Sequence, residues 1–121
     1  MKALIFKYAL RGIRAVFRTE INARIHLIIA SCVTLAGLIF GITRYEWIAI
    51  CICIGMVIGA EIFNTAIERL VDLVSPEFNE KAGMIKDISA GAVLFVALAS
   101  MVTGLIIFIP QIIDALKSGV Q

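Results

Sequence analysis

The chain reads as an all-α membrane protein, an amphipathic surface helix followed by three transmembrane helices, and three observations predict this. Of its 121 residues 61% are hydrophobic, where a soluble domain is about half apolar. Its mean hydropathy is +1.02, an excess that so small a globule cannot hide, because small domains keep much of their surface exposed. The excess is gathered into blocks: Leu27 to Ile42, Trp47 to Ala60 and Ile88 to Ile113 contain no Asp, Glu, Lys or Arg. A helix crosses the hydrocarbon with about 20 mostly apolar residues; the third block suffices alone, and the first two suffice with their polar flanks. The cations, finally, are distributed unevenly between the two sides that three spans create.

The N-terminal segment, residues 3–19, is helical by its periodicity. Lys7, Arg11, Arg14 and Arg18 fall in one narrow arc, with Ile5, Phe6, Ala9, Ile13, Val16 and Phe17 opposite. Such a helix lies in the membrane interface, apolar face down and cations among lipid phosphates. It is not a cleavable signal peptide, because the cations interrupt it and no apolar core precedes a small-residue cleavage site. Arg24 and His26 stand at the start of the first span, about 25–43. Thr43 to Glu46 makes a tight connection, and Trp47 falls where interfacial aromatics sit. The second span is about 46–74, broken by Ser75-Pro76, since proline cannot continue a helix and restricts the residue before it. A polar loop, Glu77 to Asp87, leads to the third span, about 86–110, which Pro110 is expected to kink or end.

With the N-terminus inside, the inner segments carry Lys2, Lys7, Arg11, Arg14, Arg18, Arg24, Arg69, Lys81 and Lys86, against Arg44 and Lys117 outside. That asymmetry puts the N-terminal helix and the Glu77–Asp87 loop on the cytoplasmic side. Net charge is only +2, which gives no footprint for nucleic acid. Cys32, Cys51 and Cys53 all lie in apolar runs and read as packing residues, forming neither a disulfide framework nor a zinc site. Gly37-x-x-x-Gly41 and Gly55-x-x-x-Gly59 permit close helix approach. Three helices are a thin bundle in which to hide charge, so further walls from a homo-oligomer are expected.

Charge is what the second span needs to hide. Glu61, Asn64, Glu68 and Asp72 follow i, i+3, i+7, i+11 and share one helix face within roughly 80° of arc, with Thr65 beside them. Ionisable groups at membrane depth are costly and mark functional paths. Asp72, near the loop, suits an interfacial salt bridge; Glu61, below fourteen uncharged residues and with no basic residue within a turn of sequence, does not. Seven residues separate Glu61 from Glu68, about 10 Å of helix axis. That is too far to grip one metal head-on, and it suits a division of labour. Glu68 would hold a divalent cation near water, with Glu20 as second carboxylate, and Glu61 would act on a group presented from the bilayer. Magnesium favours such a set, one or two carboxylates plus phosphate oxygens and water. Lys86, near the expected start of the third helix, suits phosphate. No Gly-x-x-x-x-Gly-Lys-Ser/Thr loop is present, so a nucleotide site must be of another design.

The run Glu61-Ile-Phe-Asn-Thr-Ala-Ile-Glu68-Arg-Leu-Val-Asp72, with Lys86-Asp87 following, resembles the signature of the prokaryotic diacylglycerol kinase / undecaprenol kinase family. Phe6-Lys-Tyr-Ala-Leu-Arg-Gly12 and Arg18-Thr-Glu-Ile-Asn-Ala-Arg-Ile-His-Leu27 are similar too, so the likeness covers nearly the whole chain. It implies a homotrimer in the bacterial cytoplasmic membrane that uses Mg2+ and ATP to phosphorylate a lipid alcohol. By the same resemblance Glu61 matches the catalytic base, and Glu20 and Glu68 match the metal ligands. Tyr8, Asn64, Glu68, Lys86 and Asp87 match nucleotide-site positions, joined by Glu77 and Asn79 in the loop. The sequence departs from the pattern at Phe78-Asn79, where family members commonly carry Tyr-His. The Arg24-Ile-His26-Leu stretch and the Phe-Lys-Tyr start look more like the undecaprenol branch than the diacylglycerol one. Two rival classes make different predictions. A small ion-coupled carrier would move cations across sealed vesicles without ATP, and a scaffold would have no use for the carboxylate stripe.

Overall fold

The computed structural model describes residues 2–120. They form four helices in sequence: α1 (Lys2–Thr19), α2 (Ile21–Phe40), α3 (Arg44–Val74) and α4 (Glu80–Val120). The last three are long and apolar enough to cross a membrane. α3 is the central element, packed against α2 on one side and much more extensively against α4 on the other, while α1 packs against α2 and α3.

Local chemistry sets each corner. Glu20, extended at φ −108° and ψ 115°, separates α1 from α2, and its side chain makes no capping bond. The carbonyls at the end of α1 are satisfied from further along the chain: Arg24 donates through Nε to Phe17 O at 2.8 Å and through Nη2 to Arg18 O. α2 ends at Gly41, whose φ of +63° lies in the left-handed region that favours glycine, and its N–H returns to Gly37 O. Thr43 then starts α3 with a reciprocal capping pair. Its hydroxyl accepts from Glu46 N at 3.3 Å, while Glu46 Oε1 accepts from Thr43 N at 2.9 Å. Above this corner Ile42, Ile50 and Ile107 form the buried apolar core, flanked by Trp47, Phe40 and Phe108.

Three expectations need correction. The polar loop is shorter than Glu77–Asp87, because α4 begins at Glu80. Asn79 is the reason: its Oδ1 accepts from Lys81 N at 2.8 Å and Ala82 N at 3.4 Å, a side-chain cap that starts the helix early. Pro110 does not end the last helix, which continues to Val120. A proline removes one intrahelical bond, and membrane helices tolerate that loss where neighbouring groups compensate. Gly37 and Gly41 are not a pair for helix approach. Gly41 turns the chain, and a Cβ on Gly37 would lie 2.8 Å from Trp47 Cη2. Trp47 is accordingly half-buried against α2.

α3 has 31 residues, about 46 Å at the helical rise, against about 30 Å of hydrocarbon. Its excess length carries the polar C-terminal turns beyond the apolar layer. The α1–α2 corner and the α3–α4 loop lie at that same end of the bundle, which brings Glu20 and Lys86 towards the stripe on α3.

Candidate active site

The stripe on α3 is real as a face and divides by depth. Glu61, Asn64 and Thr65 are buried, at 3%, 7% and 2% exposure, while Glu68 is half-buried and Asp72 exposed. Thr65 returns its hydroxyl to Glu61 O at 3.0 Å, so its side chain is spent on the helix itself. Asn64 donates from Nδ2 to Glu68 Oε1 at 3.4 Å, one turn along the helix. Its Oδ1 is buried and has no partner.

Glu61, with no basic residue near it in sequence, has one in space. His26 Nε2 on α2 stands 3.8 Å from Glu61 Oε2. Glu68 and Glu20 also lie within electrostatic range of Glu61. Glu61 and His26 are thus a close pair, with Glu68 and Glu20 around it at the junction of α1, α2 and α3. The sequence marks His26 as a residue at the start of a span and as part of the Arg24-Ile-His26-Leu stretch, with no link to Glu61. No spacing links positions 26 and 61, since the contact comes from the antiparallel packing of α2 on α3.

The corner carrying Glu20 is tied down by Arg69, the residue after Glu68. Arg69 Nη2 donates to Thr19 Oγ1 at 2.5 Å and lies 3.8 Å from Glu20 Oε1. A single guanidinium thus holds the α1–α2 junction beside the stripe. Glu20, Glu68 and the orphaned Asn64 Oδ1 offer oxygen donors only, which suits a hard cation such as Mg2+. Among the described residues no three His, Cys, Asp or Glu side chains converge to hold an ion by themselves. The set fits a metal that takes its remaining ligands from phosphate and water.

The other expected residues lie further out. Lys86 Nζ is 2.5 Å from Asp72 Oδ1. This gives Asp72 the salt bridge that its place near the loop suggests, and it ties α3 to α4. Lys86 does not open its helix, since six residues of α4 precede it, so the argument from free amides at a helix start fails for it. Asp87 is exposed beside it, as is Glu77, whose carbonyl accepts from Ser75 Oγ at 3.3 Å. Asn79 spends its side-chain oxygen on the α4 cap. Tyr8 is exposed on α1.

Beyond the cluster, an apolar groove of about 470 Å³ opens between α2, α3 and α4. Its walls include Ala30, Val33, Ile54, Val57 and Phe108, and His26 is its polar member nearest the carboxylates. The arrangement has a wet acidic end, a buried carboxylate, and an apolar approach from the span.

Comparison with known proteins identifies the family. The family profile described as prokaryotic diacylglycerol kinase matches residues 7–108. The undecaprenol kinase of Bacillus subtilis (strain 168) is 38% identical over 107 residues, which is 88% of this chain and 87% of that one. A diacylglycerol kinase of Synechocystis is 34% identical over 115 residues, 90% of this chain and 63% of its own length. One from Haemophilus influenzae is 32% identical over 93 residues, covering 76% of this chain and 77% of that protein. The carrier and scaffold readings fall away, and a match over most of its length makes this chain a member of the prokaryotic diacylglycerol kinase family and a lipid kinase.

Proposed function

We propose that the protein transfers the γ-phosphoryl group of ATP to the primary hydroxyl of a membrane lipid alcohol, with Glu61 as the base. The observation that carries this reading is a carboxylate buried at 3% exposure in a spanning helix, between an apolar groove and a wetter pair of carboxylates. Phosphoryl transfer asks for positioning and charge neutralisation more than for covalent chemistry. Glu61 takes the hydroxyl proton as the alcohol oxygen bonds to the γ-phosphorus, and the bond from phosphorus to the bridging oxygen of ADP breaks. Glu68 and Glu20 would hold Mg2+, with Asn64 keeping Glu68 in place. When bound, the ion would offset phosphate charge. Lys86, exchanging Asp72 for a phosphate oxygen, adds a further positive charge, and Tyr8, Glu77, Asn79 and Asp87 border the nucleotide.

The lipid is undecaprenol in this reading. Its support is the name and identity of the Bacillus subtilis relative together with the Arg24-Ile-His26-Leu stretch. Diacylglycerol is the second reading, favoured by the names of the other relatives. Both alcohols present a hydroxyl at the interface on an apolar chain. The positive-inside count supports a site on the cytoplasmic face of the bacterial inner membrane. On that face α1 lies flat, since Ile5, Phe6 and Ile13 leave its apolar side bare for lipid. The uncovered apolar surface of α4, with Leu94, Phe95 and Ile106 exposed, supports packing into a homotrimer.

Purified protein assayed with labelled Mg-ATP against undecaprenol and diacylglycerol in parallel tests this. Faster transfer into undecaprenol is the expected result. Faster transfer into diacylglycerol would replace the substrate, and transfer into neither would end the lipid alcohol reading.

A further inference from the structure

Resting on the proposed base role of Glu61, the geometry points to His26 as a positioning residue for the transfer step. Three observations meet at this side chain. His26 Nε2 is the basic nitrogen facing Glu61, 3.8 Å from Oε2. The imidazole is itself mostly covered, its side chain 20% exposed, while that of Glu61 is 4% exposed. His26 also lines the apolar groove, whereas Glu61 does not, so the imidazole stands between groove and carboxylate.

A buried carboxylate without a fixed donor can rotate, and it then presents its oxygens to a substrate in no particular order. A small closure of the 3.8 Å gap lets the His26 Nε2–H donate to Oε2 and fix the plane of the carboxylate. Oε1 is then left to take the proton of the alcohol. An alcohol whose apolar chain lies along Ala30, Val33, Val57 and Phe108 brings its hydroxyl to the end of the groove where His26 stands. The imidazole gains and loses no proton overall; its task is orientation. The other groups around the pair are Glu20 and Glu68, within range of Glu61, Asn64, whose amide acts on Glu61 from its own helix while donating to Glu68, and Arg69, which is engaged by Thr19 and Glu20. None of them supplies a donor from the groove side.

The test uses two substitutions and two readouts. His26→Ala lowers kcat for lipid phosphorylation by about 10- to 100-fold, the cost of a misplaced reacting group, and leaves the KM for Mg-ATP unchanged. His26→Gln, whose amide nitrogen reaches the position of Nε2, recovers most of that loss. Full activity in His26→Ala, or equal loss in both variants with a lowered melting temperature, would overturn the proposal in favour of a packing role or none. The second readout needs no turnover. His26 is the only histidine, so its imidazole nitrogens are followed by NMR without ambiguity, and Glu61→Gln is expected to move them. Imidazole signals indifferent to Glu61→Gln would refute the pairing. An inactive wild-type protein would instead sink the kinase mechanism, with the NMR result still deciding whether His26 and Glu61 act on each other.

Discussion

Asn64 spends its amide nitrogen on Glu68 and leaves a buried carbonyl oxygen unpaired. An unsatisfied buried acceptor costs about 1–3 kcal/mol, and a site that gains a ligand at that atom recovers it. The division along α3 follows from the same logic. Glu68 is half-buried and oriented by Asn64, which suits a ligand to an ion arriving with nucleotide from water. Glu61 is buried seven residues deeper, at 3% exposure, which suits a group acting away from bulk water. Glu68→Ala should therefore behave as a metal variant, its activity at low Mg2+ falling about 10-fold or more, the range seen when a metal site loses a supporting group. Raising Mg2+ restores part of it, measured as initial rate against ion concentration. A loss that is independent of Mg2+ would move Glu68 out of the metal role. The spacing of Glu61, Asn64 and Glu68 is legible in the sequence because helical periodicity is local. The role of His26 is not, because its contact with Glu61 depends on how α2 packs.

At the level of elements, the corners decide how the site is held. Gly37 has no Cβ because the Trp47 ring lies where one would be, at 2.8 Å. Gly37→Ala is expected to lower stability by about 1–3 kcal/mol, the range for overpacking a close contact. Trp47→Leu in the same chain should relieve part of that loss, and the melting temperature in detergent reads both. Asn79→Ala removes the α4 cap and costs about 1 kcal/mol, whereas Asn79→Asp keeps an acceptor oxygen and should retain stability in the same measurement. The helix boundaries show where sequence reading stops. Ser75-Pro76 marks the end of α3 correctly, since proline acts on its own neighbours. Composition places the start of α4 six residues late, at Lys86, because the polar stretch Glu80–Lys86 hides a helix whose cap lies at Asn79. Pro110 misleads for a related reason, since one lost bond is a small defect in a helix of 41 residues.

For the whole molecule, three spans bring a water-facing end and a bilayer-facing groove to one side chain. α3 carries that side chain and is long enough to reach both. α2 supplies His26, the α1–α2 corner supplies Glu20 under the hold of Arg69, and α4 closes the groove while tying Lys86 to Asp72. The spans are readable from the apolar surplus and its blocks alone, because they follow from composition and length. The cluster is not, because only the antiparallel packing of the helices brings its distant positions together. Glu61 is the residue on which transfer depends, and the direct test is the initial rate of γ-phosphate transfer from Mg-ATP into lipid by Glu61→Gln beside the wild-type protein. Gln keeps the size and polarity of the side chain and removes the base. The expected result is a rate lower by about 100-fold or more, with the protein folded and the KM for Mg-ATP little changed. A Glu61→Gln protein that phosphorylates lipid at the wild-type rate would contradict the account.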